Sequence, residues 1–126
     1  MNSSTKPRIS VVIPSYNQGA YIGDTILSVL HQDFGDWELI IQDSCSKDQT
    51  EEVCRHYAAL DPRIRFYSEK DKGFADAVNR GLERANGTYA CIQSSDDYFS
   101  SPTVFREVLE LFDQHNTAYV VSGLHI

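Results

Sequence analysis

The chain has 126 residues, 41% hydrophobic and 23% charged, with a formal net charge of −7. That size and composition predict one globular domain over residues 1–126, and the acidic balance argues against nucleic acid as a partner, because phosphate backbones require a basic surface. No apolar run approaches the ~20 residues of a membrane-spanning helix, and the polar start Met1–Arg8 is unlike a secretory signal, so we expect a cytoplasmic protein.

Short apolar runs alternate with helical stretches along the chain. The pattern predicts, in order, strand Ile9–Ile13, helix Tyr21–His31, strand Trp37–Ile41, helix Asp48–Leu60, strand Ile64–Tyr67, helix Phe74–Ala85, strand Thr88–Ile92 and helix Thr103–His115. Pro14 is expected to end the first strand, Gly87 to stop the third helix, and Tyr119–Val121 to begin a fifth strand. The apolar stripe of the last helix is predicted to consist of Val104, Val108, Leu111 and Phe112.

Alternating strands and helices predict a mainly parallel sheet, and ligands of such sheets bind outside the carboxyl ends of the strands. Polar residues follow three of the first four predicted strands, at Ser15–Asn17, Asp43–Ser46 and Ser94–Asp97. We therefore expect these separate segments to meet at one edge of the sheet.

The adjacent carboxylates Asp96 and Asp97 are the strongest local signal. Two neighbouring carboxylates repel each other unless they are solvated or bridged by a cation, and Mg²⁺ and Mn²⁺ prefer such oxygen ligands together with substrate phosphates. A bound cation would also reconcile an acidic chain with an anionic ligand. An acidic loop that caps the helix near Thr103 explains the pair equally well.

Two further signals follow the first and second strands. Asp43 is placed to accept hydrogen bonds from a ribose or a base, whereas Ser46 and Asp48 are better placed to cap the next helix. Tyr16 could stack on a base, although turns in general favour its neighbours Pro14 and Asn17.

The charged run near the third helix is less specific. Glu69 and Lys70 are expected on a solvated face, while Asp76 and Asn79 share one face near the start of a helix whose amides would suit a diphosphate. Neither a P-loop nor a dinucleotide fingerprint is present in the sequence.

Together these segments resemble the inverting family 2 glycosyltransferases, which have a Rossmann-like GT-A fold with a mainly parallel sheet flanked by helices. Ile9–Asn17 matches the first strand and turn of the family, and Ser28–Gln32 matches the end of the following helix. Trp37–Asp43 matches the second strand with its nucleotide-binding aspartate. Ser68–Gly81 matches a longer signature of one branch, and Ser95–Asp97 matches the acidic metal motif. The match covers nearly the whole chain in the right order.

The resemblance implies transfer of a sugar from a UDP- or GDP-type donor to a glycan or lipid-linked acceptor, in polysaccharide, cell-wall or glycolipid assembly. The implied substrate-binding residues are Pro14, Ser15, Tyr16, Asn17, Asp43, Asp71, Gly73, Asp76, Asn79, Ser95 and Asp96. Ser15, Tyr16 and Asp43 would hold the base and ribose. Asp96, with Asp97 beside it, would bind Mg²⁺ or Mn²⁺.

This chain departs from the family pattern in three places. Ser94 stands where an acidic residue or Asn is common, and Ser44–Cys45 replace glycines. Family members usually continue beyond Ile126 with the acceptor-binding half, so we expect the chain to be truncated and the general base to lie beyond it. Those further regions would place the protein at the inner membrane face, and the surface they leave exposed would favour a homodimer.

Two alternatives stay open at this point. The first is a non-catalytic sugar-nucleotide-binding module of the same fold. The second is a phospho-receiver-like signalling domain, which has the flavodoxin-like strand order and an Mg²⁺-binding acidic cluster. A receiver also needs a Lys after a late strand, and the tail segment Val120–Gly123 offers none.

Overall fold

The computed structural model of the protein describes residues 6–115. The elements run β1 Ile9–Ser15, α1 Ile22–Leu30, β2 Trp37–Asp43, α2 Thr50–Leu60, β3 Ile64–Ser68, α3 Phe74–Arg84, β4 Tyr89–Ile92 and α4 Val104–His115. Each strand and helix predicted within this range is confirmed in type and order. The predicted strand at Tyr119–Val121 lies outside the described residues.

The four strands form one parallel sheet in the order β3-β2-β1-β4. The connection from β1 leads to β2 on one side of β1, and the connection from β3 leads to β4 on its other side. This change of direction makes a topological switch point between β1 and β4. The flavodoxin-like order, which places β3 beside β1, is excluded by this arrangement. The phospho-receiver alternative is accordingly wrong.

β1 continues past Pro14 to Ser15, so the prediction that this proline ends the strand is wrong. The Ser15 carbonyl accepts a hydrogen bond from Ser44 on the β2 side, whereas the Val12 carbonyl accepts from Gln93 on the β4 side. Alternate residues of a strand face the same neighbour, so Pro14 faces β4 as Val12 does. The β1–β4 ladder ends at Val12 and Ile92, just before the position at which it would need the N–H that Pro14 lacks.

Helices cover both faces of the sheet. β1 and β2 are buried along their whole length, which their β-branched sequences favour. α1, α2 and α4 pack in one core cluster against alternate strand residues such as Val11 and Ile13. α3 lies on the opposite face, where Gly81 approaches so closely that an added Cβ would lie 2.4 Å from Val12 Cγ1. Within residues 6–115, none of these helices has both the length and the apolar character needed to cross a membrane.

The buried stripe of α4 differs from the predicted one. Of the four predicted residues, Phe112 is buried, Val104 and Val108 are half-buried and Leu111 is 40% exposed, whereas Phe105 and Leu109 are buried and were not predicted. Both sets have helical spacing, but the phenylalanines find aromatic partners: Phe112 stacks on Tyr89 with ring centroids 4.0 Å apart. Large aromatic side chains contribute more buried apolar area, which decides the face that turns inward.

Gly87 does not cap α3, contrary to the prediction, because the helix ends at Arg84 and the chain is already extended at Ala85. Its role is a close approach to β1. An added Cβ would lie 2.6 Å from Ser10 Oγ, and the Gly87 amide donates a 2.8 Å hydrogen bond to the same atom. This glycine therefore allows the chain to enter β4.

Candidate functional site

A cavity of about 570 Å³ opens at the carboxyl ends of the strands, where the topology places ligands. Each of the four strands contributes to it through the residues at its end or in the loop that follows. The lining residues are Pro14, Ser15, Tyr16, Gln18, Ser44, Cys45, Lys47, Lys70, Asp71, Lys72, Gly73, Phe74, Ala77, Ser94 and Ser95. The separate polar segments predicted to meet do so here.

Asp43 lies behind the cavity wall and is fully buried. Its carboxylate accepts hydrogen bonds from Ser15 Oγ at 2.7 Å, from the Ser46 amide at 2.8 Å and from Ser46 Oγ at 2.6 Å. Such a buried charge is stable only when it is hydrogen-bonded in this way. The carboxylate thus fastens the end of β1 to the loop that follows β2, and it also engages the hydroxyl of Ser15.

Asn17 performs a similar task at the surface. Its backbone φ is 53°, a left-handed conformation that asparagine tolerates better than most residues. In this conformation its amide donates to Ser46 Oγ and its Oδ1 accepts from the Lys47 amide, each at 2.8 Å. The structure therefore places Asn17 between two loops, beside the cavity lining and outside it.

Asp71 presents an unsatisfied acceptor. Its Oδ1 accepts from Ser44 Oγ at 3.0 Å and from the Gly73 amide at 2.9 Å, whereas its Oδ2 is buried without a partner among the described residues. Buried polar atoms are almost always hydrogen-bonded, so this atom suits an N–H or O–H group of a bound molecule. Gly73, at φ 120°, permits the turn that shapes this wall.

Asp76 and Asn79 are not brought into the cavity. They line a separate depression on the other side of α3, together with Arg80. Asp76 Oδ2 accepts from the Lys72 amide at 2.9 Å and from Arg80 Nε at 3.2 Å. These two donors, the amide first, lower the pKa of Asp76. On this helix it is Phe74 and Ala77 that face the cavity.

The loop after β4 approaches the cavity from its other side. Ser94 and Ser95 line the cavity, while Asp96 and Asp97 are exposed next to it. The Thr25 hydroxyl of α1 donates to the main-chain carbonyls of Ser95 and Asp97, which holds this loop in place.

The acidic pair does not cap α4. The Thr103 amide donates to Ser101 Oγ and the Phe105 amide to Gln32 Oε1, so the start of that helix has other acceptors. The capping alternative is therefore wrong. Among residues 6–115 no three His, Cys, Asp or Glu side chains gather as a metal site. Two carboxylates nevertheless fit Mg²⁺ or Mn²⁺, because these ions often take their other ligands from water and phosphate.

Several lining residues were missed in the sequence. Phe74, which was not predicted, is 68% exposed and lines the cavity together with the predicted Tyr16, which is 52% exposed, so the lining includes two aromatic rings. Lys70, expected on a merely solvated face, lines the cavity with Lys47 and Lys72. Their position in the loops directly after β2 and β3 was the available signal.

Comparisons with known proteins agree with this geometry. A family model described as glycosyl transferase family 2 matches residues 10–125. The chain is 40% identical over 119 residues to the putative teichuronic acid biosynthesis glycosyltransferase TuaG of Bacillus subtilis, covering 94% of this chain and 47% of that protein.

Two solved structures are also similar. TarS of S. aureus in complex with UDP-GlcNAc has a TM-score of 0.80 at 26% identity, over 86% of this chain and 32% of that one. Glucosyl-3-phosphoglycerate synthase of Mycobacterium tuberculosis, in complex with Mn²⁺, UDP and glucosyl-3-phosphoglycerate, has a TM-score of 0.66 at 28% identity, over 84% and 39%. The chain spans less than half the length of each of these proteins.

Proposed function

We propose, from the premise that this chain belongs to glycosyl transferase family 2, that it is the single donor-binding domain of a glycosyltransferase. It binds a UDP- or GDP-type sugar nucleotide with a divalent metal, and the whole protein transfers the sugar to a glycan or lipid-linked acceptor. The similarity to a putative teichuronic acid biosynthesis enzyme supports polysaccharide assembly as the setting.

The cavity at the strand ends carries this proposal. A volume of about 570 Å³ is in the range of small-molecule sites, and loops from all four described strands reach it. Its walls combine the exposed aromatic rings of Tyr16 and Phe74 with the unpartnered Asp71 Oδ2. A nucleoside has matching features, because its base is an aromatic plane with N–H groups at the edge and its ribose carries hydroxyls.

We assign the base to the wall formed by Tyr16, Phe74 and Asp71. Asp71 Oδ2 accepts a hydrogen bond from the base or the ribose. Ser15 and Asp43 support that wall from behind through their 2.7 Å hydrogen bond. They act by keeping the β1 turn in position.

Asp96 and Asp97 are the residues that would hold the metal, next to Ser94 and Ser95 of the cavity lining. When bound, Mg²⁺ or Mn²⁺ acts as a Lewis acid that offsets negative charge on the departing nucleoside diphosphate. The Thr25 hydroxyl contributes by fixing the main chain of this loop. The general base and the acceptor site are assigned to regions beyond this chain.

Isothermal titration calorimetry of the chain with UDP and with GDP, each in Mn²⁺ and in EDTA, tests the proposal. We expect one of the nucleotides to bind, more tightly in Mn²⁺. Asp96→Asn should bind the nucleotide in EDTA as the parent does and lose the increase caused by Mn²⁺. Asp33→Asn, at a carboxylate that pairs with Arg106 elsewhere, is the matched control. Absence of binding heat in every condition would contradict the proposal.

A further inference from the structure

The arginines and the lysines of this domain differ in whether their charges are paired with carboxylates. All seven arginines of the sequence form ion pairs with carboxylates, as Arg84 does with Glu69 at 2.7 Å and Arg65 with Glu38 at 2.7 Å. Within residues 6–115 no lysine takes part in such a pair. The arginine charges are therefore matched by carboxylates at ion-pair distance, whereas the lysines make no such pair, although the charge of Lys72 acts on Asp76.

The lysine charges are also concentrated. Three of the four lysines, Lys47, Lys70 and Lys72, line the cavity at the strand ends. Exposed lysines normally spread over a surface, because like charges repel each other. Three of them around one cavity, in a chain whose net charge is −7, create a local field of opposite sign.

A second positive element faces the same cavity. α3 begins at Phe74 on the cavity wall, and Gly73 at its N-cap has no side chain that could accept from the first-turn amides. The start of a helix carries a partial positive charge and free N–H donors. The side of the cavity near β2 and β3 thus carries three ammonium groups and a helix start, set against the carboxylates of Asp71 and Asp76.

We propose that Lys47, Lys70 and Lys72 bind the diphosphate of the sugar nucleotide and supply positive charge in addition to any metal at Asp96 and Asp97. This inference rests on the proposed function. The lysines follow β2 and β3 and the carboxylates follow β4, so the two groups lie on opposite sides of β1. A diphosphate between them is approached by cations from both sides.

Charge balance gives the physical reason for this arrangement. The cavity region holds the carboxylates Asp43, Asp71, Asp96 and Asp97, and a sugar nucleotide adds the negative charges of its diphosphate. One divalent cation cannot offset all of these charges. The three lysines bring the site near neutrality, and they attract the anionic donor towards a protein that repels it elsewhere.

The test measures binding of UDP and GDP to the whole chain by calorimetry, in Mn²⁺ and in EDTA, with uridine and guanosine as uncharged counterparts. Each of Lys47→Gln, Lys70→Gln and Lys72→Gln should weaken nucleoside diphosphate binding by about threefold, and the triple variant by about 30-fold. The triple Lys→Arg variant should bind as the parent does. Lys6→Gln is the matched control, because this lysine lies outside the cavity lining.

Nucleoside binding separates the possible results. If the lysines hold the diphosphate, uridine and guanosine bind the triple Gln variant as they bind the parent, and raising the salt concentration weakens diphosphate binding less in the variant. Unchanged diphosphate affinity, or an equal loss for the nucleosides, overturns the inference while the proposed function stands. A parent chain that binds no nucleotide in Mn²⁺ overturns both. Thermal melting confirms that the variants are folded.

Discussion

Two aspartates at the ends of neighbouring strands have different roles, although their side chains are identical. Asp43 ends β2, is fully buried, and accepts three hydrogen bonds. Asp71 follows β3, lines the cavity, and keeps one oxygen without a partner among the described residues. The first carboxylate is saturated by the protein, and the second has bonding capacity left for a ligand.

The difference shows that position at a strand end does not by itself assign a binding role. A carboxylate whose oxygens are hydrogen-bonded within the protein contributes to the fold, since its removal leaves the donor groups unpaired. A carboxylate with a free, desolvated oxygen contributes to recognition, since only a ligand can complete it. We therefore expect that substituting a fully hydrogen-bonded carboxylate lowers the stability of the fold, and that substituting a carboxylate with a free oxygen lowers the affinity for the ligand.

The largest effect is expected at Asp43. Asp43→Ala leaves the Ser15 hydroxyl and two donors of Ser46 unpaired in a buried place, which should lower the free energy of unfolding by about 3 kcal/mol. Urea unfolding followed by circular dichroism measures the change. Asp97→Ala, at an exposed carboxylate, should change stability by less than about 0.5 kcal/mol. Equal stability of Asp43→Ala and Asp97→Ala would contradict the structural role given to Asp43.

Glu38 belongs to the saturated class and adds a pH dependence. Burial alone would raise its pKa, but hydrogen bonds from Ser10, the Asn86 amide and Arg65 outweigh burial and lower the pKa. A carboxylate with a lowered folded-state pKa stabilises the protein above its unfolded-state pKa, and this stabilisation is lost as the pH falls through the folded-state pKa.

Glu38→Gln should therefore lower the free energy of unfolding at pH 7 by about 2 kcal/mol, and the difference from the parent should shrink below about pH 4. Urea titrations from neutral to acid pH provide the test. Glu51→Gln, at an exposed residue that pairs with Arg55, is the matched control and should have a small effect at every pH. A difference that is constant with pH would contradict the role given to these hydrogen bonds.

Asp71→Asn should show the opposite behaviour. Because its Oδ2 has no partner among residues 6–115, the substitution should change stability by less than about 1 kcal/mol while it weakens UDP or GDP binding by about tenfold. Calorimetry and urea unfolding on the same sample separate the two quantities. A variant that loses stability and keeps its affinity would place Asp71 in the same class as Asp43.

The smallest effect is a difference in thiol reactivity. Cys45 is exposed and lines the cavity, whereas burial raises the pKa of Cys54 and of Cys91 to about 12. At pH 8 a thiol reagent should label Cys45 rapidly, more slowly when nucleotide is bound, whereas the half-buried Cys91 should react slowly and the buried Cys54 only after unfolding. The variant Cys45→Ser should show no rapid phase. Labelling unaffected by nucleotide would indicate that the ligand lies away from the loop after β2.

Most of the fold could be predicted from the local pattern of the sequence. Short apolar runs placed the described strands and apolar residues at helical spacing placed the helices, because a buried parallel strand is apolar on both faces whereas these helices are apolar on one. The rule that ligands meet the carboxyl ends of parallel strands also placed Ser15, Ser44 and Ser95 at one cavity, and the family resemblance placed Asp71 there. Sequence similarity to a family added the order of these segments.

Contacts between distant residues decided the rest, since a one-dimensional pattern does not contain them. Ser15 donates a hydrogen bond to Asp43 from 28 residues away, and α3 turns Phe74 rather than Asn79 towards the cavity. Pro14 stays in β1 because it pairs with Gln42 of β2 on one side and lies beyond the last β1–β4 pair on the other. Which face of a helix turns inward, which donor reaches which acceptor and where a neighbouring strand stops all depend on packing, and packing exists only after the chain has folded.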